Sequence, residues 1–206
     1  MGTLLNPASA LKTSPGARVR AQALSGRCQE LIRTGAVRPV PPRDAGAALD
    51  DEGFRLLDIR PAWEWERARV RDALHVPLFV EDTDGGPLTL LKKSVHFGYV
   101  GLWTGQLLTT VNDQFVREVE RMVPNKDEKL LVACGEGLRS TIAVAMLHEG
   151  GYGNLGWLAG GFNRSVDGDF PDVEGETKLQ YATVGGVSYV FLQLLLLLQV
   201  VGKEGR

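Results

Sequence analysis

Residues 129–149, KLLVACGEGLRSTIAVAMLHE, constrain the fold more than any other part of the chain. The opening run, KLLVA, reads as an apolar strand. It ends at Cys134, and Gly135, Glu136, Gly137, Leu138 and Arg139 follow before a helical pattern opens at Ser140 and stops at Gly150-Gly151. A strand that turns through glycines directly into a helix needs neighbouring strands beside it and a helical layer over it, which is the α/β construction. Other β-rich runs at residues 37–40, 54–58, 73–76 and 155–158 alternate with helical patterns at 44–52 and 115–123. Together they predict an α/β domain with a mostly parallel sheet over residues 36–172.

The 206 residues allow one principal domain with extensions, and both extensions are unusual. Residues 1–29 hold Lys12, Arg18, Arg20 and Arg27 with no Asp or Glu, together with Pro7 and Pro15. Such a basic leader, rich in Ala, Ser and Thr and without a continuous apolar h-region, predicts an organelle transit peptide, in a chloroplast rather than a mitochondrion. Val19-Arg20-Ala21 resembles a processing site, so 1–21 is assigned to the leader and Gln22 to the mature start. At the other end, 24 uncharged residues separate Lys178 from Lys203. At ~1.5 Å per residue they are long enough for a ~30 Å hydrocarbon core, which predicts a membrane-anchoring helix at 184–201. With no second translocation signal, the domain is expected in the stroma and the tail in the thylakoid or envelope membrane.

Residues 80–111 form a long connection, and such connections are more often functional than idle. Its Phe97, Tyr99, Leu102 and Trp103 make an aromatic-rich patch, read either as a helix covering the core or as a membrane-facing or partner-binding lid. A net charge of −2 supplies no basic footprint for nucleic acid. The two cysteines, Cys28 and Cys134, are too few for a disulfide framework, and His75, His96 and His148 lack metal-ligand spacing. No metal and no cofactor is expected, and Cys28, without a flanking motif, is expected to be a bystander.

The chemistry converges on the loop after the strand. Successive backbone N–H groups there can curl into an anion-binding nest, and the helix start adds positive partial charge. A thiol so placed, with Arg139 beside it, is held as thiolate. Glu136 opposes this by roughly 1.4 kcal/mol at ~6 Å and an effective dielectric of about 40, while each N–H bond to a charged acceptor contributes ~1.5 to 3 kcal/mol. Several such bonds outweigh one exposed carboxylate, so Cys134 is expected to be a nucleophile.

At these residues the chain resembles the rhodanese-like, single-domain sulfurtransferase family, over residues 36 to about 165. Leu57-Asp58-Ile59-Arg60 followed by Glu64 looks like the family's first signature, and Ala73-Leu74-His75-Val76-Pro77-Leu78 like the strand after it. Cys134 to Ser140 looks like its six-residue active loop, and Gly160-Gly161-Phe162 like its closing segment. With its leader and apolar tail, the layout is similar to plant chloroplast members of the family. The resemblance implies a five-stranded, mostly parallel sheet with helices on both faces, plus a C-terminal hydrophobic helix. It implies Cys134 as the sulfur-carrying nucleophile, Gly135, Glu136, Gly137, Leu138, Arg139 and Ser140 as its cradle, and Asp58 and Arg60 as supports. The implied reaction passes sulfane sulfur from a donor to a thiol or cyanide acceptor through a Cys134 persulfide, as in a thiosulfate sulfurtransferase. Two other readings are weighed beside it. One is a membrane-tethered scaffold or regulator that binds a membrane-protein partner, and the other is a fold-related phosphatase, disfavoured because four residues separate Cys134 from Arg139 where phosphate needs five.

Overall fold

The computed structural model describes residues 15–83 and 85–204. Most of the expected leader therefore lies outside the described residues. The remainder begins with a helix, α1 (Pro15–Arg33), and strand β1 (Val37–Val40). A tight turn at Pro42–Asp44 leads into α2 (Ala45–Asp50), then β2 (Arg55–Asp58), α3 (Ala62–Arg67), β3 (Ala68–Val70), β4 (Leu74–His75) and β5 (Phe79–Glu81). Next come α4 (Pro87–His96), a π-helical turn (Phe97–Gly101), α5 (Leu102–Thr104) and β6 (Thr109–Val111). The chain continues through α6 (Phe115–Met122), β7 (Leu130–Ala133), α7 (Leu138–Glu149), β8 (Leu155–Leu158), β9 (Val173–Gly175) and α8 (Gly186–Glu204). It divides into two compact units, residues up to Val80 with Thr110–Ala182, and Glu81–Thr109 with residues from Thr183 on.

The first unit is built on a five-stranded sheet in the order β1-β8-β7-β2-β4. Each of its four pairings is parallel, with Val37 opposite Leu155, Leu57 opposite both Val132 and Leu74, and Leu130 opposite Leu155. All four residues of β7 are buried, as a central strand covered on both faces requires. The two-residue pleat divides its side chains between two cores. Leu130 and Val132 enter one with Phe115 and Val119 of α6 and Ala143 and Leu147 of α7. Leu131 and Ala133 enter the other with Ala45 and Ala48 of α2, Phe162 and Phe170. The expected five strands and two covering layers are thus present, with β1 and β8 at their expected bounds. The helix expected at 44–52 is shorter, because Pro42 tightens its start and Gly53, at φ +75°, ends it.

Helix α1 lies outside the expected domain bounds of 36–172. Leu24, Cys28 and Leu31, at i, i+4 and i+7, are buried in the same core as α7, and Thr141 of α7 donates to Ser25 Oγ at 3.1 Å. These residues follow Gln22, so processing there would retain the packed part of the helix. A second addition is the antiparallel pair β3–β9, where Arg69 lies opposite Glu174.

In the second unit, the connection at 80–111 is structured, through α4, the π-helical turn and α5. α5 packs on α8, and the contact depends on glycine. A Cβ at Gly186, whose φ is +55°, would overlap the Leu102 carbonyl, and one at Gly105 would meet the Gly186 nitrogen at 2.7 Å. Gln106 Nε2 donates to the Thr183 carbonyl at 3.1 Å across the same contact. The expected membrane-crossing segment at 184–201 is not supported. A C-terminal helix does form, but among the described residues no helix is long and apolar enough to cross a membrane. Ser188, Gln193 and Gln199 interrupt the apolar run, and Lys203 and Glu204 close it.

Candidate active site

The register of β2 and β7 sets the site. Asp58 pairs with Ala133, so Cys134 and Arg60 leave the sheet at the same carboxyl edge. The chain then turns tightly, and Gly137, at φ +84°, adopts the left-handed conformation that admits α7 at Leu138. A Cβ on Gly137 would stand 2.9 Å from the Gly160 nitrogen, so the position is closed to other residues by crowding as well as by φ.

This turn aims two backbone amides at the sulfur. Gly137 N–H donates to Cys134 Sγ at 3.1 Å and Ser140 N–H at 3.3 Å. The thiol stands 3.4 Å from Ser140 Oγ, which in turn donates to the Gly137 carbonyl at 2.9 Å. The sulfur has no solvent exposure. Of the six expected cradle residues, Gly137 and Ser140 are the ones whose amides reach it among the described residues. Gly135 instead offers its carbonyl to Asn163 N–H at 2.8 Å, and the side chains of Glu136 and Leu138 point to solvent.

Arg139 turns to a carboxylate. Its Nη1 and Nη2 donate to Glu64 Oε1 and Oε2 at 3.0 and 2.7 Å, a bidentate pair in which Glu64, from α3, is almost fully buried. Burial, the largest single influence on Arg139, would lower its pKa. The Glu64 hydrogen bond and charge, with Cys134 adding to them, outweigh it and hold the pKa above the usual arginine value.

Asp58 and Arg60 form a fully buried ion pair directly behind the loop. Arg60 Nε lies 3.0 Å from both carboxylate oxygens, Nη2 lies 2.6 Å from Oδ2, and the Arg60 N–H also donates to Oδ1 at 3.0 Å. Nη2 further donates to the Ala68 carbonyl at 2.7 Å, while Nη1 has no hydrogen-bond partner among the described residues. The guanidinium lies 4.4 Å from the centre of the Phe162 ring, and Phe162 N–H donates to the Cys134 carbonyl at 2.9 Å. The pair is a buried ion pair, and Phe162 lies between it and the loop. Gly161 allows the approach, since its φ is +65° and a Cβ there would collide with the Cys134 and Gly135 carbonyl oxygens.

Two residues outside the expected site join it. Trp157 of β8 donates Nε1 to the Gly137 carbonyl at 2.9 Å and to Ser140 Oγ at 3.1 Å, touching both residues whose amides hold the sulfur. Glu64 is the second. The first signature contains it, but only the fold shows that Arg139 is its partner. Cys28 lies in the core under α1, where burial pushes its thiol up to about 11. Among the described residues no group of three or more His, Cys, Asp or Glu side chains is placed to hold a metal ion.

A family model described as the Rhodanese-like domain matches residues 41–166. The chain is 58% identical over 184 residues to Rhodanese-like domain-containing protein 10 of Arabidopsis thaliana, covering 89% of this chain and 85% of that protein. It is 38% identical to Rhodanese-like domain-containing protein 11, chloroplastic, of the same plant, covering 79% of this chain and 55% of the relative. For protein 9, chloroplastic, from the same plant, the identity is 35%, covering 72% of this chain and 62% of the relative. Among solved structures, a thiosulfate sulfurtransferase from Pseudomonas aeruginosa aligns at TM-score 0.46 and 14% identity, over 75% of this chain and 23% of that one.

Proposed function

This chain belongs to the rhodanese-like domain family, and on that premise we propose that it is a sulfurtransferase carrying sulfane sulfur on Cys134. The observation that carries the proposal is the pair of amides, Gly137 N–H and Ser140 N–H, at 3.1 and 3.3 Å from the sulfur. Preorganised donors of this kind stabilise an anionic sulfur without reorganising when it forms. In the first half-reaction the Cys134 thiolate attacks the outer sulfur of a donor. A bond forms between Sγ and that sulfur, the donor's S–S bond breaks, and its electron pair leaves with the donor remnant. In the second half-reaction an acceptor thiolate or cyanide attacks the outer sulfur, and the S–S bond electrons return to Sγ. No oxidant or reductant is consumed, because each half-reaction exchanges one nucleophile for another.

Ser140 and Trp157 fix the turn that carries the two amides, Arg139 sets positive charge beside the loop, and the Asp58–Arg60 pair braces Phe162 against the Cys134 carbonyl. Incubating the chain with a sulfane-sulfur donor and weighing it intact should add one sulfur atom, lost on adding a thiol acceptor. Cys134→Ser should abolish the gain. A chain that stays at its original mass with thiosulfate, a polysulfide and a persulfide alike would overturn the reading. The complete seclusion of Sγ favours a second reading, in which the domain mainly binds a partner, and that partner would then survive Cys134→Ser in pull-downs.

We further propose a plastid location for the domain, supported by the chloroplastic names of two relatives and by the acid-free, basic first 29 residues. Import into isolated chloroplasts followed by N-terminal sequencing tests it. A new terminus near Gln22 inside protease-protected plastids is the expected result.

A further inference from the structure

We propose that the second unit docks on an anionic lipid surface, with its helices lying in the plane of that surface. The proposal goes beyond the sulfurtransferase reading and is independent of it. Most of the large hydrophobic side chains left exposed among the described residues belong to this unit. Their arrangement is inverted relative to a helix of a globular domain, whose apolar stripe faces the core. On α4, Leu90, Leu91 and Val95 are 54, 61 and 53% exposed and fall within an arc of about 140° at ~100° per residue. The inward side is polar, with Thr89 buried and His96 Nε2 lying 3.0 Å from the Gln106 carbonyl.

On α8, Val190, Phe191, Leu194, Leu195 and Leu197 share one helical face and are all exposed. Between the helices in sequence, Phe97 and Trp103 are 60 and 52% exposed, adding the aromatic rings that favour a membrane–water boundary. Large apolar surfaces are rarely left facing water on a soluble monomer, which points to an apolar partner for these helices.

Charge beside the apolar arc points to the partner. The α4 helix carries Lys92 and Lys93 and no acidic residue, while over the whole unit, Glu81–Thr109 and Thr183–Arg206, four basic residues balance four acidic ones. On the α4 helical wheel Lys92 and Lys93 each lie about 60° beyond an edge of the apolar arc, one on each side. Basic residues flanking an apolar face suit anionic headgroups above an acyl layer. Shallow, in-plane contact also agrees with the lack of any described helix able to cross a membrane.

The test is co-sedimentation of the full chain with large unilamellar vesicles of phosphatidylcholine, with and without phosphatidylglycerol. The chain should pellet with the anionic vesicles, and Lys92→Gln with Lys93→Gln should lower its partition about 5-fold for each lysine. Leu91→Ser with Val95→Ser should lower it at least tenfold, since two apolar side chains no longer enter the acyl layer. Both positions are exposed, so the fold should persist, as far-ultraviolet circular dichroism would verify. Binding that the Leu91 and Val95 substitutions leave unchanged would assign it to the basic N-terminal segment and overturn the proposal. So would a chain that stays in the supernatant with every vesicle, or a concentration-dependent dimer in sedimentation velocity that the same substitutions abolish.

Discussion

Trp157 shares one ring N–H between the Gly137 carbonyl and Ser140 Oγ, so a single donor steadies both residues whose amides hold the sulfur. Trp157→Phe keeps the ring and removes the donor. It should cost about 1–2 kcal/mol in urea denaturation, and sulfur loading on Cys134 should slow in a stopped-time mass assay. A protein that loses stability yet loads sulfur at the original rate would place Trp157 in packing alone. Glu64 and Arg139 pose a different question, because one charge is buried and the other partly so. Glu64→Gln leaves the guanidinium without its counter-charge and should lower the unfolding free energy by about 3 kcal/mol, whereas Glu64→Gln with Arg139→Gln should recover part of that loss. Equal losses in the single and double variants would mean that shape, rather than charge, governs the pair. Neither partnership could be read from the sequence. Cys134, Gly137 and Ser140 announce themselves as a strand, a glycine turn and a helix start within a few residues. The separations of 75 residues between Glu64 and Arg139, and 20 between Trp157 and Gly137, are closed only by the sheet.

At the scale of the element, α1 shows how a composition signal can hide a packing signal. Its residues before Glu30 lack acidic side chains, as a leader does, yet Leu24, Cys28 and Leu31, past the expected processing site, have the spacing of one buried helical face. Cys28 gives this helix a signature in pH. Its thiol titrates at about 11 in the folded chain, against about 9 when free of the core, with burial as the cause. Below pH 9 both states keep the proton and the thiol contributes its full share. As pH rises from 9 towards 11 the unfolded chain ionises first, and stability falls. Urea midpoints measured across that interval should therefore drop more steeply for the native chain than for Cys28→Ala, and parallel curves would show that the thiol is not enclosed as described. The pair β3–β9 was missed for another reason. Its strands are three residues each, too short for periodicity to register, and 103 residues separate Arg71 from its partner Glu174.

For the whole molecule, the strand order makes β7 the innermost strand, flanked on each side by two others. Its amides should exchange with solvent only through global unfolding, whereas amides of α4 and α8 in the second unit should exchange through smaller openings. Native-state hydrogen exchange at low denaturant checks this, and β7 amides that exchange as fast as those of α4 would contradict the layering. This layering was largely legible beforehand. The buried runs that became β1, β2, β7 and β8 are apolar, short and bounded by turn residues, and local sequence determines such strands well. Of the second unit, the C-terminal helix was legible as an uncharged apolar run, whereas the connection at 80–111 was legible only as a long insertion, because its helices expose side chains that a folding rule expects inside. One consequence of the closed loop over Cys134 concerns selectivity. A nucleophile with no exposed surface is shielded from peroxides and stray electrophiles as well as from its donor. Discrimination therefore belongs to reaching the sulfur as much as to its reactivity.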